Sequence, residues 1–408
     1  MSELWDADVV VVGAGVLGAS VAYHLLRRRS GRVIVLDAGS PASATSGAGA
    51  GFVGLWGAGY ADFFTGGDLE FEQYGIDFYR RLSADGAEID CWANGNLFLA
   101  TNETGWSKWV ETVRDHPLAP AGTRELSPRQ VNEITGDVIA AGNIRGGVLH
   151  PGGIQISAGR ATRALAARVR DSGGEVRENT KVIGLLTADG AVTGVATASG
   201  PVRAKKVVLA CGPWSAQLLE PLGYRPPLLR MVATRVVSPP SKVPGTMPTV
   251  MVPDLYGLWL RNHRGGLTWG NGDGYSALDD LKGEIGPSGR PRFPELVDRL
   301  TAKFAPRLRE LVPRHDTSIG WWVQGVPCMT PDRRFLVGPV PEVDGLYFLG
   351  GDNEAGVTHG PGLGRMLSEM IDTGGSTWVD PSPYRLDRFG STRFNSEREV
   401  AAAMPGRR

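Results

Sequence analysis

Residues 8–37 read DVVVVGAGVLGASVAYHLLRRRSGRVIVLD, and the order of residue types in this stretch sets the fold of the chain. Asp8 to Val12 is too short and too β-branched for a helix, and a glycine cluster ends it, so it reads as a buried strand. VAYHLLRRR then carries apolar residues at helical spacing, and Arg32 to Leu36 is a second β-branched strand that ends in Asp37. The unit is βαβ, with its glycines at the strand-to-helix turn. Gly13 permits the tight turn, Gly15 lets a pyrophosphate approach the backbone, and Gly18 lets the helix pack closely on the strand. Asp37 follows Gly18 by nineteen residues, where a carboxylate accepts hydrogen bonds from ribose hydroxyls and disfavours a 2′-phosphate. The stretch therefore predicts a bound dinucleotide, NAD or FAD.

Outward from this unit, residues 38–54 read AGSPASATSGAGAGFVG, a loop offering hydroxyls and free amides to a second pyrophosphate face. Two distant strands also end in glycine-rich turns. KKVVLA at 205–210 leads into Cys211-Gly212-Pro213-Trp214-Ser215, and Leu346 to Leu349 leads into Gly350-Gly351-Asp352 and a helix expected from about Pro361. One dinucleotide fold is thus assembled from separated segments.

These elements carry a family resemblance. The N-terminal fingerprint, the loop with Ser43, Thr45 and Ser46, the ACGPWS element at 210–215, TPD at 330–332 and the G-x-G ending at Gly364 together resemble the D-amino-acid oxidase superfamily of FAD flavoproteins. The branch is that of glycine oxidase, sarcosine oxidase and dimethylglycine dehydrogenase, and the resemblance covers Asp8 to about Arg385. It implies that Gly13, Gly15, Val16, Leu17, Gly18, Asp37 and Ala38 hold the ADP half of FAD. Ser43, Thr45, Ser46 and Gly51 approach the pyrophosphate, and Val182, Ala210, Gly212 and Trp214 line the adenosine side. Gly351, Asp352, Glu354, Gly356, Val357 and Thr358 belong to the segment that meets the isoalloxazine ring. The positive end of the following helix would face the flavin edge on which negative charge develops.

The fold expected is α/β, a discontinuous Rossmann-like FAD-binding domain (1–90, 145–220 and 326–385) joined to a mixed or antiparallel β-sheet substrate domain with helices (91–144 and 221–325), followed by a frayed tail at 386–408. LLRMVATRVV, TVMVP, LYGLWLRN and GGLTWGN alternate in polarity as antiparallel strands. Their sheet is expected to roof the flavin with Tyr256, Trp259 and Arg261 inward, residues 294–312 to be its long helical insertion, and 273–292 a loop. Thr268, Thr358 and His359 complete the candidate catalytic set.

The chain departs from the family pattern at three places. Amino-acid-oxidising relatives carry an arginine three residues before the threonine of TPD, where this chain has Pro327; the sarcosine oxidase branch has a lysine at Thr358. Either a substrate carboxylate is held by Arg261 or Arg230, or the substrate has none near the reacting carbon, and a hydrophobic or differently anchored amine is expected rather than a simple D-amino acid. Sarcosine oxidases place an oxygen-assisting lysine in the strand where Gly266-Leu267-Thr268-Trp269-Gly270 has Thr268, so slow reoxidation in air is expected. Covalent flavin attachment is not expected: Ala48 stands where a linking histidine would, and Cys328 reads as a buried thiol.

The 408 residues carry 43 basic and 43 acidic side chains, which gives no electrostatic reason for a nucleic-acid or anionic-membrane partner. Three cysteines without metal-type spacing suggest neither a disulfide framework nor a metal site. No apolar run is long enough to span a membrane, and acids precede the first apolar run, so the expected location is cytoplasmic. The activity implied is FAD-dependent oxidation of the C–N bond of an amine or amino acid, with electrons passed to O2 or another acceptor. A flavin dehydrogenase and a non-catalytic FAD-binding subunit of a larger complex are the alternatives.

Overall fold

A computed structural model describes residues 5–54, 66–283, 285, 289–302, 304–390 and 394–404. β1 (Ala7–Val12), α1 (Val16–Arg27) and β2 (Val33–Leu36) form the expected βαβ unit. β1 pairs in parallel with β2 on one side and with Gly200–Leu209 on the other. Glu175–Arg177 and Leu346–Gly350 extend this core outward in parallel, and Leu336–Pro339 adds an antiparallel edge. With the ribbon of Val182–Ala188 and Ala191–Thr197 the sheet has eight strands, drawn from both ends and the middle of the chain. The central strands are buried on both faces, as their unbroken Val, Ile and Leu content requires.

A ten-stranded sheet, largely antiparallel, stands beside it. Leu229–Val237 is its hub and pairs with Gly266–Gly270, Tyr275–Ala277, Trp321–Gly325 and Cys328–Met329. Leu258–His263, Thr249–Val252, Asn96–Ala100, Gly146–His150 and Arg124–Leu126 continue it. Gly146–His150 and Cys328–Met329 belong to this sheet, so the boundaries expected at 145 and 326 do not coincide with the division between the sheets. The stretch expected as a loop at 273–292 supplies a strand, and the expected long helix is two, Pro294–Ala302 and Ala305–Leu311, with Pro306 in the first turn of the second, where a missing N–H costs nothing.

Ala158–Asp171 packs against α1, and α1 and Gly66–Ala84 both pack against Gly356–Thr373. Close approach of the last to α1 needs Gly364, where a Cβ would lie 2.6 Å from the Ser20 backbone. This helix starts at Gly356, five residues earlier than expected, and carries Pro361 inside it. Proline leaves the carbonyl four residues upstream without its helical donor. That carbonyl is Val357 O, and the Tyr79 hydroxyl donates to it at 2.9 Å. The tail is also more ordered than expected. Glu397–Ala403 is a helix whose Val400 packs against Leu229 and Met329.

Glu72, on Gly66–Ala84, is buried, and its Oε2 has no hydrogen-bond partner among the described residues. Burial pushes its carboxyl up to about 8. The folded pKa exceeds the unfolded one, so the protonated group fits the fold at low pH and stability is lost as pH rises toward 8. Glu72→Gln should remove that loss and unfold at higher temperature than the parent at alkaline pH, with a gain of about 1–3 kcal/mol. Thermal unfolding across a pH series tests this; parallel pH profiles for the two proteins would contradict it. Among the described residues no helix is long and apolar enough to cross a membrane.

Candidate functional site

The site begins where β1 stops. Gly13 turns the chain at φ +106°, its N–H held by Leu36 O at 2.8 Å, and the N-cap of α1 is Gly15, which has no side chain to cap the first turn. The N-terminal amides of a helix are partial positive charges that suit a phosphate. Asp37 closes the turn, accepting from Ala14 N–H at 2.6 Å and Gly39 N–H at 2.8 Å. Ser46 Oγ accepts from Val16 N–H at 3.0 Å, which ties the loop to the helix end. Thr45 is pinned to Val326 by a reciprocal pair of 3.1 Å bonds, and Arg290 donates to the carbonyls of Ser43 and Ala42.

A cavity of about 560 Å³ runs from Asp37, Lys181 and Val182 past the start of α1 to Gly356, Val357 and Trp259. Every expected cofactor residue lines it except Gly18, Gly51 and Thr358. Gly18 serves the helix–strand approach, since a Cβ there would lie 1.9 Å from Gly13 O. A Cβ on Gly51 would lie equally close to Ile156 O, and the Thr358 hydroxyl donates to Phe52 O at 3.0 Å. The donor set matches an FAD: helix-end amides and hydroxyls for phosphate, a carboxylate for ribose, and Gly356 at the uncapped start of a long helix for the ring. The fit rests on a helix start whose N-cap is a glycine and on a glycine turn with no room for a side chain.

Of the expected catalytic residues, the cavity wall contains Trp259, which meets Phe52 edge to face at 5.4 Å between ring centroids. Tyr256 is 60% exposed, before the strand rather than in it, and packs on Phe304. It does not reach the cavity. His359 lies inside Gly356–Thr373, buried against Phe335 with its ring beside Ala355 O. Burial lowers its pKa, so it packs as a neutral ring rather than meeting the cavity. Arg230 pairs with Glu397 and Asp279, which removes it as a free cation. Cys328 is buried at the cavity edge, its thiol held far above the usual range by that burial. Asp352, also on the wall, accepts from Cys328 N–H at 2.8 Å and is raised to about 6 by desolvation.

Arg235 was not among the residues expected. It lines the cavity, 8% exposed, with Nε donating to Ala48 O at 2.8 Å and Nη1 to Thr268 Oγ1 at 3.0 Å. Pairing of Val237 with Thr268 and of Arg261 with Thr268 puts Arg235, Thr268 and Arg261 on one face of the sheet. The available signal was a lone arginine at an inward position of the alternating run MVATRVV. Thr268 itself is fully buried, and its hydroxyl donates on to Val236 O at 3.0 Å, so it does not line the cavity. Positive charge is therefore present at this strand, and slow reoxidation loses its premise. His263 does not supply it: burial first, then Arg261, Arg235 and Arg264, lower its pKa to about 4. Thr268→Lys would bury a further cation beside Arg235 and Arg261. We expect about 3 kcal/mol or more of lost stability in chemical unfolding; an unchanged midpoint would mean that the new side chain escapes to solvent.

The family model for FAD dependent oxidoreductases (DAO) matches residues 8–370. 4-Methylaminobutanoate oxidase (formaldehyde-forming) of Paenarthrobacter nicotinovorans is 29% identical over 95% of this chain and 46% of its own length. Glycine oxidase of Pseudomonas aeruginosa is 27% identical over 92% of this chain and 97% of its own. The first curated relatives matched are about twice as long, the chain spanning 46% and 45% of them. Among solved structures, L-proline dehydrogenase from P. horikoshii superposes with a TM-score of 0.79 at 21% identity, covering 94% of this chain and 98% of that one, and so shares the fold.

Proposed function

This chain belongs to the DAO family of FAD dependent oxidoreductases, and from that premise we propose that it oxidises the C–N bond of an amine or amino acid bound beside Trp259. The observation that carries the reading is one continuous cavity that joins the dinucleotide turn at Asp37 to an aromatic wall on the second sheet. Bound FAD would accept a hydride from the carbon bearing nitrogen, leaving an imine that water hydrolyses. The chain contributes binding and orientation. Asp37 and the start of α1 would fix the nucleotide half, and Gly356 and Val357 would place helix-end amides beside the ring. Trp259, packed on Phe52, would offer an apolar surface to the substrate chain. An amine that enters unprotonated needs no general base. The relatives' names, an oxidase of a methylamino acid and an oxidase of glycine, support an amine or amino-acid substrate. Three free cysteines suit a reducing compartment, and we propose the cytoplasm.

The test is anaerobic mixing of the FAD-loaded protein with a panel of amines and amino acids. Bleaching of the yellow flavin by some members is the expected result. A flavin that stays oxidised across the panel, yet bleaches with a chemical reductant, would favour a non-catalytic subunit. Readmission of air then reports whether O2 or another acceptor takes the electrons.

A further inference from the structure

A second cavity, of about 390 Å³, lies between α1, Gly66–Ala84 and Gly356–Thr373. It opens beside the C-terminal half of α1, whose twelve residues put about 18 Å of helix between its two ends, so it is separate from the dinucleotide turn at the other end. Its wall is aromatic: Tyr23 and Tyr74 both pack on Phe78, with ring centroids 5.5 and 6.4 Å away. Its polar floor is satisfied and neutral. His24 Nδ1 donates to Ser20 O at 2.7 Å, since a carbonyl only accepts, and the Tyr74 hydroxyl donates to His24 Nε2 at 2.9 Å. Burial lowers the His24 pKa to about 4, which keeps the ring uncharged. The charge is carried by Arg27, Arg28, Arg81 and Arg365, with Glu369 as the one acid among the described lining residues. Glu369 is taken by Arg365 Nε at 3.2 Å and by the Ser376 hydroxyl at 2.9 Å, and Arg28 is matched by Asp372 at 3.1 Å. Arg27 and Arg81 have no carboxylate partner among the described residues, which leaves a local excess of two positive charges in a chain of zero net charge. The Arg365 guanidinium is held 4.2 Å from the ring centroid of Trp378 and 5.4 Å from that of Tyr74, and the Arg81 guanidinium stands 6.0 Å from the same Tyr74 ring.

We propose that this cavity binds a phosphate monoester carrying a flat organic group, of the class of a nucleoside monophosphate, with the phosphate on Arg27 and Arg81 and the flat group against Tyr23, Tyr74 and Phe78. The charge count selects the head of the ligand. A phosphate monoester bears close to two negative charges near neutral pH and so matches two unpaired guanidiniums, whereas a monocarboxylate leaves one of them unmatched. The planar guanidinium fork meets phosphate oxygens through charge-assisted hydrogen bonds. The wall selects the body, because aromatic faces and edges reward a flat ring laid against them. The volume is that of a small-molecule site and exceeds what a bare phosphate fills. None of these residues lines the flavin cavity, so the proposal is independent of the C–N oxidation reading.

The test uses the FAD-loaded protein, in which the first cavity is filled, and calorimetric titration with AMP, inorganic phosphate and adenosine at constant ionic strength. AMP should bind saturably, at least about 10-fold more tightly than either inorganic phosphate or adenosine, and should raise the unfolding temperature. Arg27→Gln and Arg81→Gln should each weaken AMP binding by about 10-fold or more. Both side chains are exposed, so neither change disturbs the packing of the helices. Arg29→Gln removes a neighbouring charge that is not part of the cavity wall and should leave AMP binding unchanged. Absence of saturable AMP binding to the parent overturns the proposal, as does full AMP affinity in Arg27→Gln and Arg81→Gln. A loss in Arg29→Gln as large as in the wall variants also overturns it, because the attraction would then be the diffuse charge of residues 27–29 rather than a site. Inorganic phosphate that binds as tightly as AMP overturns the part given to the aromatic wall.

Discussion

Gly13→Ala should yield a colourless protein, destabilised by about 2–5 kcal/mol and unable to retain FAD. At φ +106° an L-residue is strained, and the added Cβ would lie 2.6 Å from the carbonyl oxygen of Ala210. The strain contributes about 1–2 kcal/mol and the overpacking about 1–3 kcal/mol. Relaxation is blocked on both sides. Gly13 N–H is bonded to Leu36 O at 2.8 Å, and Ala210 N–H to Val12 O at 2.9 Å, so movement of either partner breaks a ladder of the parallel sheet. The same turn sets the start of α1, hence the position of the amides that would meet the pyrophosphate. The absorbance ratio of flavin to protein after gel filtration, with a denaturant titration of the same sample, measures both effects. A yellow, fully loaded variant would show that the turn can move aside without loss.

Asp37→Ala should weaken FAD binding by about 100-fold or more. The carboxylate makes two short bonds to backbone amides, 2.6 Å from Ala14 N and 2.8 Å from Gly39 N, and so fixes the turn and the following loop relative to each other. Charge-assisted bonds of this kind contribute about 1.5–3 kcal/mol each, and the contacts expected to ribose would be lost with them. Asp37→Asn keeps one acceptor oxygen and should fall between the two. Flavin fluorescence, quenched on binding and recovered on release, gives the dissociation constants. Full flavin retention through dialysis by the alanine variant would reduce Asp37 to a strand terminus.

The dinucleotide turn was legible because its information is local: five β-branched or acidic residues, glycines at fixed offsets, a helical period and an acid at the next strand end all fall within residues 8–37. Each requirement acts within one strand–helix–strand unit, so no distant partner alters it. The family likeness along 8–370 adds the segments that return to the same sheet from far away. The chemistry-bearing face of the second sheet is a different case. In a strand, alternate residues face opposite ways, and which set faces inward depends on the pairing of strands more than twenty residues apart. Trp259 lines the cavity, whereas Tyr256 sits before the strand with φ +55° and turns to solvent. Arg235 became visible as a cavity residue when Leu229–Val237 was seen paired with Gly266–Gly270, which sets its guanidinium on Thr268. The helix expected from about Pro361 instead runs through that proline, and Tyr79, from a helix nearly 280 residues upstream, caps the carbonyl that proline leaves free. Local spacing thus specifies the cofactor half, while buried charge and face selection in the substrate half arise from contacts between segments whose separation in sequence carries no periodic mark.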